Sequence, residues 1–211
     1  KDILEKNGLS DIHLIPCPSA YLPSLEWYDI PECENRKIIG FSITDRSLAE
    51  TQREFLFTTI IILANWLKDN SFLPLFIFQD SSDDSRPAQY FAQKKYTCIF
   101  PNTAREAVSI YRKCHAVIGM RGHSVILASG QCIPVFAIAY NKKVQAVMDI
   151  LDLTEYCVHQ KDLADSKKVL TKVVKFLCER NTIIGKLKIK YDLFYTMNCQ
   201  YCKTILNVLN K

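Results

Sequence analysis

The sequence contains few of the residues that mark loop-dominated or fibrous chains. Its 211 residues include 6 glycines and 8 prolines, which argues against a loop-dominated fold. Hydrophobic residues make up 48% of the chain and charged residues 23%, values that are typical of a globular protein and exclude a disordered or collagen-like one. A chain of this length buries enough surface to fold without a disulfide or a metal.

Neither sign of charge dominates the chain. It carries 27 Lys and Arg against 22 Asp and Glu, a formal net charge of +5. This excess is small and scattered, so we do not expect nucleic acid as a partner. A mildly basic surface does suit an anionic substrate.

The sequence also has no apolar run long enough to cross a membrane. The longest run, residues 55–67, is shorter than the roughly 20 residues that a membrane-spanning helix needs, so we expect a buried helix and no transmembrane segment. No charged stretch followed by an apolar one opens the chain, so no secretion signal is predicted. The chain starts with Lys1 rather than Met, and we expect it to be the remainder of something longer.

Cysteine is plentiful but forms no regular framework. Several of the 9 cysteines, such as Cys98 and Cys132, lie inside apolar runs, where a thiol acts as a small hydrophobe. This usage predicts a reducing compartment and hence a cytoplasmic protein. Cys199 and Cys202 form a Cys-x-x-Cys pair without the further ligands of a zinc site or the context of a redox motif, so we expect neither role.

Short apolar runs alternate with amphipathic helical stretches along most of the chain. This pattern predicts an α/β fold with a Rossmann-like parallel sheet of five or six strands and crossover helices. The predicted strands are 12–15, 37–44, 72–79, 96–100, 116–120 and 134–140. The predicted helices are 48–70, 86–95, 103–114, 124–130 and 144–151, and Thr103 with Glu106 three residues on matches a capping box. We expect residues 1–36 to be an N-terminal remnant and linker, 37–160 the Rossmann-like domain, and 161–211 a helical segment.

Ligands of such sheets bind at the carboxyl ends of the strands, where loops lead into helix N-termini. The predicted loops at that edge are residues 44–46, 79–85, 121–124 and 140–143. The acidic loop with Asp80, Asp83 and Asp84 is predicted to be solvated rather than metal-binding, with contacts to acceptor hydroxyls left open. Lys142 and Lys143 open a helix, a position where a cation is unfavourable unless an anion lies beside it.

The turn Arg121-Gly122-His123-Ser124 carries the clearest chemical signal. It joins a strand to a helix, and a helix N-terminus presents free backbone N–H groups to anions. Arg121 adds a guanidinium suited to phosphate or carboxylate, and His123 adds a group that exchanges protons near neutral pH. The alternative is that Arg121 pairs with an internal carboxylate and that His123 merely caps the helix.

The run IGMRGHS, followed by a small-residue helix and PVFAIAYNKKV, resembles the signature of the polysaccharide pyruvyl transferases. That signature is a strand, Met-Arg-Leu-His, a helix, and a strand ending in Tyr with a Lys three residues on. Arg121, His123, Tyr140 and Lys143 occupy the matching positions, and Gly122 stands where the family usually has Leu.

Upstream, KIIGFSIT is similar to the first strand of the second domain in this family, and SDIHLIPCPSAYL to the segment that joins the two domains. The family commonly places an Arg at the end of that strand, where Thr44 stands here, and Arg46 is the candidate replacement. The resemblance implies the C-terminal half of a glycosyltransferase-B-like two-domain fold.

The resemblance implies transfer of pyruvate from phosphoenolpyruvate to two hydroxyls of one sugar in surface polysaccharide biosynthesis, giving a cyclic ketal and phosphate. The acceptor would be a glycolipid, a nucleotide-sugar or an oligosaccharide, and the protein would be cytoplasmic and peripheral to the inner face of the membrane. No cofactor or metal is expected. His123 would be the general acid and Arg121 would stabilise the leaving phosphate. The expected substrate-binding residues are Gly122, Ser124, Arg46, Thr44, Tyr140 and Lys143.

Two other functions stay open at this point. One is a glycosyltransferase that uses a nucleotide-sugar, with Arg121 and Lys143 on the diphosphate and Glu155 or Asp152 on the ribose. The other is a catalytically inactive binding module in a surface-glycan pathway. Release of phosphate from phosphoenolpyruvate, against release of nucleotide from a nucleotide-sugar, distinguishes the two enzymes.

Overall fold

A computed structural model describes residues 16–25, 36–46 and 48–209 of the chain. The strand predicted at 12–15 lies outside the described residues, as do 1–15 and 26–35 of the predicted N-terminal remnant. The division of the chain into three parts stays a prediction.

Six parallel strands form one sheet in the order β3-β2-β1-β4-β5-β6. The strands are β1 (Lys37–Ser42), β2 (Phe72–Ile77), β3 (Thr97–Ile99), β4 (Cys114–Gly119), β5 (Val135–Ala139) and β6 (Cys157–His159). The strand order reverses between β1 and β4, which is the arrangement of the Rossmann fold. The predicted fold class is therefore confirmed.

Helices connect the strands and follow the last one. They are α1 (Glu50–Asp69), α2 (Ser85–Gln93), α3 (Ala104–Lys113), α4 (Gly122–Gly130), α5 (Lys142–Ile150), α6 (Ser166–Cys178) and α7 (Arg180–Leu209). Short 3₁₀ turns cover Pro18–Tyr21, Thr154–Tyr156 and Gln160–Ala164. The predicted strands and helices from residue 37 to 151 are all present, with ends that shift by a few residues, and β6 is the strand that the sequence did not predict.

The central strands are buried on both faces. Five of the six residues in β1 and in β2 are buried, and so is every residue of β5. Phe76 of β2 stacks on Phe41 of β1 and on Phe91 of α2, with ring centroids 5.0 Å and 4.2 Å apart. Helices on both sides of a parallel sheet explain why these strands read as continuous apolar runs.

The apolar run 55–67 lies within α1. One face of this helix, with Leu56, Ile60 and Leu63, is fully buried, whereas Phe55 and Ile62 on the other face are 43% and 38% exposed. The expectation of a buried helix therefore holds for the face that packs on the sheet and not for the outer face. Within the described ranges, no helix combines the length and apolarity that a membrane span requires.

Residues 16–25 lie against α4 and α7. The Tyr21 hydroxyl donates to the carbonyl of Tyr191 on α7, at 3.0 Å. Gln131 Nε2 donates to the carbonyls of Ala20 and Leu22, at 3.4 Å and 3.3 Å. At Gly130 an added Cβ would lie 2.2 Å from the Ala20 oxygen, so only glycine permits this close approach.

Candidate functional site

The predicted site residues all lie at the carboxyl edge of the sheet, on loops that follow three neighbouring strands. Thr44 and Arg46 follow β1, the turn Arg121–Ser124 follows β4, and Tyr140 and Lys143 follow β5. The acidic loop after β2 lies beside them. The strand order therefore brings together segments that are up to a hundred residues apart.

Arg121 is held by the acidic loop. Its Nη2 lies 2.5 Å from Oδ1 of Asp84 and 3.8 Å from Oδ2 of Asp83. The Arg121 side chain is 15% exposed, and its Nε is buried without a partner among the described residues. The pairing with an internal carboxylate, which the sequence left open, is therefore present, and it fixes the guanidinium at the end of β4.

Asp84 is the anchor of this arrangement. Its side chain is fully buried, and its second oxygen, Oδ2, accepts from the backbone N–H groups of Gln79 and Asp80, each at 3.2 Å. The prediction that the acidic loop is solvated is thus wrong for Asp84, because this carboxylate exchanges water for an arginine and two amides. Sequence reasoning missed this role, since nothing in the pattern indicates which of the three aspartates turns inward.

Asp80 organises the rest of the loop. It accepts from the backbone N–H groups of Ser82 and Asp83, at 2.9 Å and 3.0 Å, and from the Ser82 hydroxyl, at 2.6 Å. These hydrogen bonds, the Ser82 hydroxyl first, lower the pKa of Asp80 to about 2. Among the residues that the structure describes, no group of three or more His, Cys, Asp or Glu side chains could hold a metal ion.

The loop after β1 contributes further charges. Thr44 is fully buried, and its hydroxyl accepts from the backbone N–H of Arg46, at 3.3 Å. Arg46 is 62% exposed and reaches Asp83, with Nη1 and Oδ2 2.8 Å apart. Arg53 and Arg86 both pair with the buried Asp45, at 2.8 Å and 3.3 Å. None of these three residues is among the site residues predicted from the sequence.

Helix α4 begins without a side-chain cap. Arg121 is its N-cap residue in extended conformation, and its side chain makes no capping hydrogen bond. His123 lies within the helix and is exposed, and Arg121 is the N-cap residue, so the alternative that His123 caps the helix is wrong. The first backbone N–H groups, including those of Gly122 and His123, have no acceptor within the helix. They face the carboxyl edge of the sheet, as an anion site requires.

Ser124 and Gly122 have different surroundings. The Ser124 hydroxyl is buried and donates to the Arg121 carbonyl, at 2.7 Å, so it shapes the turn. At Gly122 an added Cβ would meet no atom within 4 Å, which means that the space beside the first turn is open.

Tyr140 borders a separate depression, and Lys143 is not among the residues that line it. Asn141 caps α5 by accepting from the backbone N–H groups of Lys143 and Val144, at 3.0 Å and 3.1 Å. The cavity beside this cap measures about 530 Å³ and is lined by Tyr140 and Lys142, while His123 lines a different cleft of about 370 Å³. The predicted residues thus share one edge without sharing one cavity.

The family model for polysaccharide pyruvyl transferase matches residues 1–142, a range that contains Arg121, His123 and Tyr140. No curated protein matches the chain.

Two solved structures have a fold similar to that of this chain. TarM from S. aureus superposes with a TM-score of 0.54 at 16% identity, over 100% of this chain and 42% of TarM. The α,α-trehalose 6-phosphate synthase from Burkholderia multivorans gives 0.50 at 10% identity, over 84% of this chain and 44% of the synthase. The chain spans less than half the length of either structure. At these identities the similarity establishes the fold alone.

Proposed function

The chain belongs to the polysaccharide pyruvyl transferase family, and on that basis we propose that it transfers pyruvate from phosphoenolpyruvate to two hydroxyls of one sugar. The products are a cyclic ketal and inorganic phosphate. The observation that carries the proposal is the uncapped start of α4 at the end of β4, with Arg121 before it and the exposed His123 within it.

The charges at this edge suit phosphoenolpyruvate, which carries a carboxylate and a phosphate. The free N–H groups of α4 offer donors to one of these anions, and Arg121 and the exposed Arg46 offer cationic donors. Arg121 is already oriented by Asp84, at 2.5 Å, so it loses little side-chain freedom when it binds. Lys143 stands at the same edge as a further cation.

The reaction needs one acid and a stabilised leaving group. His123 gives a proton to C3 of phosphoenolpyruvate, which turns the methylene into a methyl group and C2 into an electrophile. The first sugar hydroxyl bonds to C2 and returns its proton to His123. The C2–O bond to phosphate then breaks with Arg121 beside the departing charge. The second hydroxyl bonds to C2, and its proton leaves on phosphate.

The two carboxylates that the glycosyltransferase alternative assigned to the ribose do not lie at this edge of the sheet. Asp152 and Glu155 precede β6 and so lie at the amino edge of the sheet, opposite Arg121. Asp152 is paired with Lys190, and Glu155 with Lys175 and Lys186, at 3.3 Å and 3.4 Å. These carboxylates serve surface ion pairs instead of a ligand at the carboxyl edge.

The test is an assay of the purified protein with phosphoenolpyruvate and a panel of glycolipids, nucleotide-sugars and oligosaccharides. We expect acceptor-dependent phosphate release, with solvent deuterium entering the methyl group of the ketal. Release of nucleotide without consumption of phosphoenolpyruvate would favour the glycosyltransferase instead. Absence of both reactions with every acceptor would favour the binding module.

His123→Asn is the decisive variant. Asparagine is tolerated in the first helical turn but cannot donate a proton as imidazolium does, so turnover should fall by about a hundredfold or more. The control is His115→Asn, because His115 lies at the amino end of β4. Near-normal turnover in the His123 variant would show that His123 is not the general acid.

A further inference from the structure

The cleft beside His123 is lined mainly by apolar and uncharged polar residues. It measures about 370 Å³ and lies between the starts of α3 and α4, with Leu22 on one wall and Leu127 on the other. Its polar lining includes Gln79, Asn102 and His123. No Asp, Glu, Lys or Arg is among the described residues that line it. A dianion in this cleft would have no cationic side chain to bind except His123.

Gln79 is held in one orientation. Its side-chain Nε2 donates to the hydroxyl of Tyr111, at 3.0 Å, and its backbone N–H donates to Asp84. Tyr111 is fully buried, and its hydroxyl is also hydrogen-bonded to Ser42. One N–H of the amide is engaged in this way, and the carbonyl oxygen Oε1 remains to accept from a ligand.

Asn102 is held in a similar way. Its backbone N–H and its side-chain Nδ2 both donate to Oε2 of Glu106, at 2.8 Å and 3.3 Å. Thr103, between them in the chain, caps α3 by accepting from the backbone N–H of Glu106, at 3.1 Å. The side-chain carbonyl oxygen of Asn102 therefore remains to accept from a ligand, and the second N–H of Nδ2 remains to donate.

Two amide oxygens that accept, each beside an N–H that donates, suit a ligand that can both donate and accept. Sugar hydroxyls donate hydrogen bonds, whereas phosphoenolpyruvate at neutral pH carries only acceptors. The leucine side chains on the two walls provide apolar surface for the C–H faces of a sugar ring. Few charges, oriented amides and apolar walls are the usual composition of a site for a neutral small ligand.

We propose that this cleft binds the neutral sugar unit of the acceptor, with Gln79 and Asn102 accepting from its hydroxyls and Tyr111 as the positioning residue for Gln79. The proposal rests on the proposed function, because it takes the bound sugar to be the acceptor of pyruvate. It places the sugar beside His123 and leaves the cationic edge at Arg121 to the donor.

The first test measures binding without catalysis. Saturation-transfer NMR would follow a panel of methyl pyranosides at millimolar concentration with the purified protein and with Gln79→Leu. We expect at least one glycoside to bind and its Kd to rise tenfold or more in the variant. Gln145→Leu, which alters the lining of the other cavity, is the matched control and should leave the Kd within twofold. Binding that Gln145→Leu weakens and Gln79→Leu does not, or no binding of any glycoside, would overturn the proposal.

The second test uses turnover. Gln79→Leu should raise KM for the sugar tenfold or more and keep KM for phosphoenolpyruvate within twofold. Tyr111→Phe, which keeps the buried ring and serves if Gln79→Leu does not fold, should raise KM for the sugar by about threefold. A rise in KM for phosphoenolpyruvate alone would overturn the assignment of the cleft. Sugar binding that depends on Gln79, without phosphate release from phosphoenolpyruvate, would instead refute the proposed reaction and retain the sugar site.

Discussion

At the scale of single residues, the ion pair between Arg121 and Asp84 contributes both to stability and to the proposed chemistry. The carboxylate is fully buried and the arginine nearly so, which makes each dependent on the other. A buried charge that loses its partner is far more costly than a broken surface pair. The same contact that serves folding therefore holds the guanidinium where an anionic substrate would meet it.

Asp84→Asn should destabilise the protein by about 3 kcal/mol, because it leaves the Arg121 charge without its close partner. Urea unfolding at neutral pH measures the loss. The control is Asp83→Asn, whose carboxylate is 30% exposed and 3.8 Å from Arg121, and which should cost less than about 1 kcal/mol. Equal losses in the two variants would contradict the role of Asp84.

Arg121→Lys should fold, because a cation still faces Asp84, but it should lower kcat/KM for phosphoenolpyruvate. Lysine lacks the planar fork that bonds two oxygens of one anion, and the loss should be on the order of 2 kcal/mol. The control is Arg180→Lys, since Arg180 donates to the His115 carbonyl at the opposite edge of the sheet. Unchanged kcat/KM in Arg121→Lys would remove Arg121 from the donor site.

His115 makes stability depend on pH. Burial first, then the charges of Arg180 and Lys37, lower the pKa of His115 from 6.5 to about 4. Between these values the unfolded chain binds a proton that the folded chain does not, so stability should fall as the pH drops from about 6.5 towards 4. In urea unfolding, His115→Gln should lose on the order of 1 kcal/mol less than the parent protein between pH 7 and 5. An identical pH dependence would show that other groups are responsible.

The turn after β4 shows what could be predicted from the residues and what could not. The strand, the turn and the helix follow from local pattern, and so does the position of Arg121 and His123 at the ligand edge. The partner of Arg121 could not be predicted, because Asp84 lies 37 positions away and reaches it only through the order of β2, β1 and β4.

At the scale of elements, those with a strong local sequence signal were predicted correctly, and those with a weak signal were missed or given the wrong ends. Thr103 and Glu106 indicate the start of α3, and Thr103 does accept from the Glu106 N–H. The strand β6 has three residues, too few for an alternating pattern, and it forms because the exposed edge of β5 pairs with it. Helix α4 starts two residues earlier than predicted, because Gly122 and His123 carry little helix signal of their own.

Gly130 should be essential to the packing of residues 16–25 on α4. In Gly130→Ala the new Cβ would meet the Ala20 carbonyl at 2.2 Å, so the segment has to move away. We expect a loss of about 1–3 kcal/mol in urea unfolding. Hydrogen exchange at the Leu25 amide, which donates to Ser109, should also become faster.

The matched control is Gly185→Ala on α7, where an added Cβ meets nothing within 4 Å. Alanine there should stabilise the protein by about 0.5–1 kcal/mol through helix propensity. A Gly130→Ala variant as stable as the parent, with unchanged exchange at Leu25, would mean that the segment is not held against α4 in solution.

At the scale of the whole molecule, the C-terminal helices are built into the body that carries the site. Thr59 on α1 donates to the Leu163 carbonyl at 2.8 Å, which ties the segment after β6 to the first crossover helix. Tyr191 on α7 shares a buried hydrogen bond with Ser129 on α4, at 2.7 Å, and accepts from Tyr21. These contacts extend beyond residues 1–142, which the family model matches.

Unfolding should therefore be one cooperative transition. Tryptophan fluorescence in a Trp27→Phe background follows Trp66 on α1, and far-UV circular dichroism follows all helices, including α6 and α7. Coincident urea transitions by the two probes are the expected result. Tyr191→Phe should lower stability by about 1 kcal/mol and shift both transitions equally, because the hydroxyl joins α7 to α4. If residues 161–211 were an independent unit, only the dichroism transition would shift while Trp66 unfolded as before, and the site would then depend on the sheet alone.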